Sequence, residues 1–175
     1  MPQGEKRGSE LDLFDYTYDG NVSAVDGRLC GGLGQLVDGD EGLSNFRLDP
    51  QALGLRGYEW VGWKSDAYGQ RPLEIVFRFD AVRNFTQLRL HCNNQFSKDV
   101  RVFEAATVSF SVGGERYASG PVVEYRYVAD NMIEYARSVI VPLENGVGRY
   151  VRLWLYFDAR WMMISEVQFF SGKYT

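Results

Sequence analysis

The sequence predicts an all-β fold, an antiparallel β-sandwich or barrel of about eight strands with long ordered loops in its N-terminal third. Two observations predict it. Apolar and polar residues alternate with period two in segment after segment between residues 73 and 170, and no window carries apolar residues at i, i+3, i+4 and i+7. Turn-forming residues punctuate those segments, as hairpin connections require. With 175 residues, 45% of them hydrophobic and 15% aromatic, the chain has the proportions of one globular domain. A domain of this size buries about 70% of the surface of its unfolded chain, so it can fold without a metal or a disulfide.

Taken in order, residues 1–10 read as an interdomain linker or as the start of an expressed fragment of a longer chain. Residues 11–172 form the domain, and 173–175 a tail. Glycines crowd residues 20–62, which reads as ordered loop with one or two short strands. Residues 73–79 and 88–92 alternate as strands, followed by 100–103, 107–112, 122–128, 138–141, 150–157 and 164–170. Gly113-Gly114 and Asn145-Gly146 suit two-residue hairpin turns.

Charge and composition exclude several functions. Lys and Arg number 19 against 23 Asp and Glu, a net charge of −4. No basic face for nucleic acid is expected at that balance. No run of like charge offers a basic tail to lipid, and no apolar run reaches the roughly 18 residues that cross a bilayer. The first ten residues lack the apolar stretch of a secretory leader. There is one histidine, His91, so multi-histidine metal sites are excluded and any catalytic triad would have to use that residue. No phosphate-cradling glycine motif or nucleophile elbow is present. His91 and Cys92 are adjacent in a strand and point to opposite faces, so they do not form a catalytic pair. A small hydrolase is therefore the poorest reading.

Three features carry chemistry. The loop Asp38-Gly39-Asp40-Glu41-Gly42 sets carboxylates beside glycines, a pattern that can converge oxygens on a hard cation or serve as a solvated turn. Glu166 interrupts an apolar final strand, where a carboxylate either faces water at an edge or has a partner. Tyr58, Trp60 and Trp63 crowd six residues and form either a stacking platform for sugar or protein, or core. Two glycosylation sequons begin at Asn21 and Asn84 and matter only in a secreted chain. Cys30 and Cys92 can pair in an oxidising compartment or stay free.

Several collinear motifs resemble the second extracellular, discoidin-like domain of the discoidin domain receptors, which are collagen-activated receptor tyrosine kinases. They are Thr17-Tyr18-Asp19-Gly20, Gly32-Leu33-Gly34-Gln35-Leu36-Val37-Asp38-Gly39, Gly57-Tyr58-Glu59-Trp60-Val61-Gly62-Trp63, Phe77-Arg78-Phe79-Asp80, Arg83-Asn84-Phe85-Thr86, His91-Cys92-Asn93-Asn94 and Trp161-Met162-Met163-Ile164-Ser165-Glu166. The resemblance implies an eight-stranded jelly-roll-like sandwich of the discoidin, galactose-binding-like kind. It also implies a calcium ion held by the backbone carbonyl of Gln35, the carboxylate of Asp38, the backbone carbonyl of Asp40, and Ser165 and Glu166, with Tyr58 nearby. It implies a non-catalytic, structural and regulatory domain on the extracellular side of a single-pass plasma-membrane protein. Such a domain packs beside a collagen-binding discoidin domain, so collagen is met through the parent receptor and not here. Neither nucleic acid nor direct membrane insertion is expected. The resemblance implies a disulfide between two mid-domain strands whose positions are here Val108 and Leu153; their joint replacement by apolar residues suits two strands that still face each other across a core. Asn84 keeps a sequon that the resemblance shares. The alternative is a free-standing discoidin-type lectin or adhesion module that holds its ligand through Trp60 or Trp63.

Overall fold

The computed structural model describes residues 34–37, 39–52, 54, 56–117 and 120–174, and the backbone alone of residues 6–7, 10–11, 20–22 and 29–31. The strands are β1 (Lys6–Arg7), β2 (Glu10–Leu11), β3 (Gly20–Val22), β4 (Leu29–Gly31), β5 (Val61–Lys64), β6 (Leu73–Cys92), β7 (Ala105–Ser111), β8 (Val123–Arg126), β9 (Arg137–Tyr156) and β10 (Trp161–Lys173). β1 and β2 pair with each other, and the other eight form one hydrogen-bonded set.

Two long strands turn that set into a sandwich. The first half of β6 pairs with the second half of β9, from Leu73 opposite Leu155 to Arg78 opposite Tyr150. The second half of β6 pairs with the first half of β9, from Arg83 opposite Gly148 to Cys92 opposite Arg137. The first layer therefore runs β3-β4-β6-β9-β7-β8, and the second runs β5-β10-β6-β9. Among the described strands every pairing is antiparallel except the single contact of β4 with β6 at Leu29 and Ile75, and the isolated bridge of Val100 to Trp161 is parallel as well.

Alternation fills the space between the layers. Leu73, Ile75 and Phe77 of one layer face inward, as do Leu88, Leu90 and Cys92 of the other, and all are buried. Phe77 meets Phe169 at 4.9 Å, and Phe85 stacks on Phe110 at 5.7 Å between ring centroids. Aromatic pairs of this geometry add to what their buried area contributes.

Several expectations change in detail. Residues 73–79 and 88–92 are one bent strand, and so are 138–141 and 150–157. Asn145-Gly146 is not a hairpin turn: it is the bend of β9, with Glu144 at φ 52° and Asn145 at φ 59°. Gly146 lies against the Phe110 ring, and a β-carbon there would overlap it. Gly113-Gly114 lies in a connection that spans residues 112–122, longer than a two-residue turn. Residues 100–103 form no strand; Val100 makes one isolated bridge to Trp161, while Val102 and Phe103 serve the core. The side chain of Cys30 lies outside the described residues, but a Cys30–Cys92 disulfide is not formed, because Cys92 carries a free thiol. That thiol is fully buried, burial pushes its ionisation far up, and β4 reaches β6 at Ile75, near the opposite end of the strand from Cys92. Trp60 and Trp63 are fully buried, so neither forms an exposed platform.

Val108 of β7 and Leu153 of β9 are direct register partners, and both are fully buried. Directly opposed residues have α-carbons about 4.5–5.5 Å apart, inside the range of about 4.4–6.8 Å that a disulfide spans. The double variant Val108→Cys, Leu153→Cys should therefore oxidise to a cross-strand disulfide, read as the loss of two hydrogens by intact mass. Alkylation of both new cysteines in the unfolded, unreduced protein would contradict this register.

Candidate metal site

The site begins with an irregularity in β10. Ile164 lies opposite Cys92 and Glu166 opposite His91, so Ser165 is an extra residue without a counterpart. A bulge of this kind re-aims side chains that plain alternation would send to opposite faces. Ser165 and Glu166 consequently address the same neighbour, although they are consecutive. Both are buried, Glu166 at 4% exposure.

That neighbour is the loop of residues 39–44. The Gly39 N–H donates to Glu166 Oε2 at 3.1 Å, and the Gly42 N–H donates to Ser165 Oγ at 2.9 Å. Glycine is required twice. Gly39 has φ +90°, which other residues adopt at a cost, and Gly42 packs so closely on the Trp60 indole that a β-carbon would collide with it. The indole N–H of Trp60 in turn donates to the Leu43 carbonyl at 3.1 Å.

Strand β6 grips the same loop. His91 Nε2 lies 3.0 Å from the Gly42 carbonyl, which can only accept, so Nε2 donates in this hydrogen bond. His91 Nδ1 is 3.3 Å from Ser138 Oγ and 3.5 Å from Glu41 Oε2. The ring stacks on Trp60 with centroids 5.6 Å apart. Arg89 pairs with Glu41 and donates to Gln168 Oε1 at 2.8 Å. Asn93 Nδ2 donates to the Ser44 carbonyl at 3.1 Å, and the Ala136 N–H donates to Ser44 Oγ at 3.1 Å. Residues 39–44 are thus a strap bound across β6 and β10, over the cluster of Phe46, Trp60, Val100, Trp161 and Met163.

The residues expected at a cation distribute as follows. Ser165 and Glu166 come together with the acidic loop. Gln35 belongs to the short turn Gly34–Leu36, which packs on β10. Its side chain is 1% exposed, and neither Oε1 nor Nε2 has a hydrogen-bond partner. Asp40 is exposed and accepts from Gln51 Nε2 at 3.3 Å. Tyr58 is half-buried, and its neighbour Glu59 is buried. Asp38 lies outside the described residues, as does the side chain of Asn21. Among the described residues no three His, Cys, Asp or Glu side chains gather around one point. Sequence reasoning missed His91, Arg89 and Glu41 as clamps of the strap. The signal was available in the polar residues at positions 87, 89 and 91, which alternate with Leu88, Leu90 and Cys92.

The family described as "Discoidin domain-containing receptor 1/2, DS-like domain" matches residues 1–171. The chain belongs to that family. It is 32% identical over 174 residues to discoidin domain-containing receptor tyrosine kinase B of Caenorhabditis elegans, covering 98% of this chain and 20% of the relative. It is 33% identical over 159 residues to epithelial discoidin domain-containing receptor 1 of Homo sapiens, covering 91% of this chain and 17% of the relative. The chain therefore spans about a fifth of the length of these relatives. Among solved structures, CpGH89CBM32-6 produced by Clostridium perfringens superposes with a TM-score of 0.45 and 13% identity, over 88% of this chain and 91% of that one. That likeness is too loose to carry an inference.

The strap makes a direct prediction. Gly42→Ala forces a methyl into the Trp60 ring, and overpacking of this kind costs about 1–3 kcal/mol. Gly120→Ala, with open space around it, serves as the control and should stay within about 0.5 kcal/mol of the parent. Denaturant melts followed by tryptophan fluorescence read both. Equal midpoints for the two variants would contradict the close approach of Gly42 to Trp60.

Proposed function

We propose that this chain is the second extracellular, discoidin-like domain of a collagen-receptor tyrosine kinase, a non-catalytic module stabilised by a calcium ion held between the strap and β10. The observation that carries the reading is the pair of hydrogen bonds from Gly39 and Gly42 to Glu166 and Ser165, which brings the acidic loop onto the one carboxylate of the final strand.

The residues present suit a hard cation. The donors are oxygens: the carboxylates of Asp38 and Glu166, the hydroxyl of Ser165, and the backbone carbonyls of Gln35 and Asp40, with Tyr58 close by. Calcium is bound by ligand sets of this kind. Among the described residues the softer groups are engaged elsewhere: His91 Nε2 meets the Gly42 carbonyl and the Cys92 thiol is buried in the core. A bound cation would neutralise a carboxylate that burial otherwise penalises. It would also tie a loop near the start of the domain to its last strand.

In the parent receptor the domain would sit outside the cell beside a collagen-binding discoidin domain, with collagen bound there and kinase activity supplied elsewhere in the chain. Its part would be structural and regulatory, holding its neighbour and restraining or transmitting signalling. Among the described residues no helix is long and apolar enough to cross a membrane. A lectin that uses Trp60 or Trp63 is disfavoured by the burial of both rings.

Calorimetry with and without calcium tests the ion. A ligand at a hundredfold excess over its Kd adds about 2.7 kcal/mol, and for a chain of this size that moves Tm by about 5–10 °C. We expect EDTA to lower Tm by such an amount, excess calcium to restore it, and Glu166→Gln to abolish the response while still unfolding cooperatively. Identical melts in EDTA and calcium would refute the proposal.

A further inference from the structure

Strand β8 ends the first layer: among the described strands it has β7 on one side and none on the other. Its register with β7 sets Val123 opposite Val108, Glu124 opposite Thr107, Tyr125 opposite Ala106 and Arg126 opposite Ala105. The Tyr127 N–H donates to the Glu104 carbonyl at 3.0 Å, so these two form a hydrogen-bonded pair. In an antiparallel ladder such pairs alternate with pairs that exchange no bond. Val123, Tyr125 and Tyr127 therefore turn their backbone groups toward β7. The N–H and C=O groups of Glu124 and Arg126 point the other way, to the free edge of the sheet.

An edge is commonly kept from pairing by a proline, a bulge or repelling charges. β8 contains no proline, and its register with β7 runs without a shift. Its two charges are of opposite sign and flank Tyr125. Rotated about a two-fold axis through Tyr125, the strand meets a second copy of itself with Glu124 opposite Arg126 and Arg126 opposite Glu124. These are the residues whose backbone groups are free, so each opposed pair can exchange both backbone hydrogen bonds. Glu124 is exposed and makes no ion pair among the described residues. The Arg126 side chain pairs with Glu104 at 3.1 Å yet stays 82% exposed. The same rotation brings Val122, 53% exposed before the strand, toward Val128, 87% exposed after it. Opposite charges directly across a ladder stabilise it, and like charges destabilise it.

We infer that β8 is a self-association edge: two copies of the chain pair their β8 strands antiparallel about Tyr125, which joins two first layers into one sheet across the two-fold axis. The contact is isologous, each copy offering the same residues to the other. Hydrogen bonds at Glu124 and Arg126 fix the register, their side chains select it by charge, and the valines at either end bury apolar surface. So short a strand buries less than the roughly 1,200 Å² at which stable interfaces begin, so the dimer is weak and depends on concentration. The inference rests on the register of β7 with β8 and on no part of the metal site, which belongs to the strap and β10.

Sedimentation equilibrium from micromolar to millimolar concentration should show a monomer–dimer equilibrium that weakens as salt is added. Over the same range, exchange of the Glu124 and Arg126 amides should slow as dimer forms, while the Tyr125 amide, already bonded to β7, keeps its protection. Glu124→Arg and Arg126→Glu each set like charges opposite one another twice, and each should raise the dimer Kd at least about tenfold. Both side chains are exposed, so both variants should melt as the parent does. Mixed in equal amounts, the two variants complement each other at both pairs, and a heterodimer should form with the affinity of the parent. A chain that stays monomeric at millimolar concentration would overturn the inference. A dimer that both variants leave intact would place the contact on another face and overturn it equally, as would variants that do not associate on mixing.

Discussion

A carboxylate with 4% of its surface exposed must find its partners inside the protein, because losing water uncompensated costs several kcal/mol. Glu166 finds one in the N–H of Gly39, and the neighbouring hydroxyl of Ser165 receives the N–H of Gly42. This contact joins residues more than a hundred positions apart. It fixes where the loop of 39–44 runs, and so which face of Trp60 and His91 it covers. The clamps from His91, Arg89 and Asn93 all act on a segment whose position the β10 contact already determines.

The contact depends on the geometry of the sandwich. β10 can present two consecutive polar residues to one neighbour only because the bulge at Ser165 breaks the alternation. β6 must be long enough to carry His91 and Arg89 in the second layer while its first half builds the first. Where β9 bends from one layer to the other, Glu144 and Asn145 take left-handed backbone angles and Gly146 makes room for Phe110. Each irregularity answers a packing demand of the strands around it.

Much of this was legible in the residues. The alternation at 73–79 and 88–92 names the inward side chains correctly, since Leu73, Ile75, Phe77, Leu88, Leu90 and Cys92 all lie in the core. The odd carboxylate in an apolar strand marks Glu166 without any structure. Val108 and Leu153 were expected on strands facing each other across the core; they are instead opposed on neighbouring strands of one layer, β7 and β9. Other features were not legible, for physical reasons. Asn145-Gly146 has the backbone freedom of a hairpin turn and equally that of a bend within one strand, and only tertiary packing chooses between them. Strict alternation sends Ser165 and Glu166 to opposite faces, and no local pattern announces the bulge. The burial of Trp60 depends on the loop of 39–44 packed against it, and that of Trp63 on the main core between the layers, neither of which local sequence announces.

The most direct test of the strap is hydrogen exchange of individual amides under native conditions. Docked on buried acceptors of β10, the Gly39 and Gly42 amides should exchange as slowly as strand amides such as Leu90, through opening of the domain as a whole. In Ser165→Ala the Gly42 amide should speed up while the Leu90 amide keeps its protection. If Gly39 and Gly42 exchange in the parent protein at the rate of an unstructured loop, the strap is not docked, and the account of the site built on it is wrong.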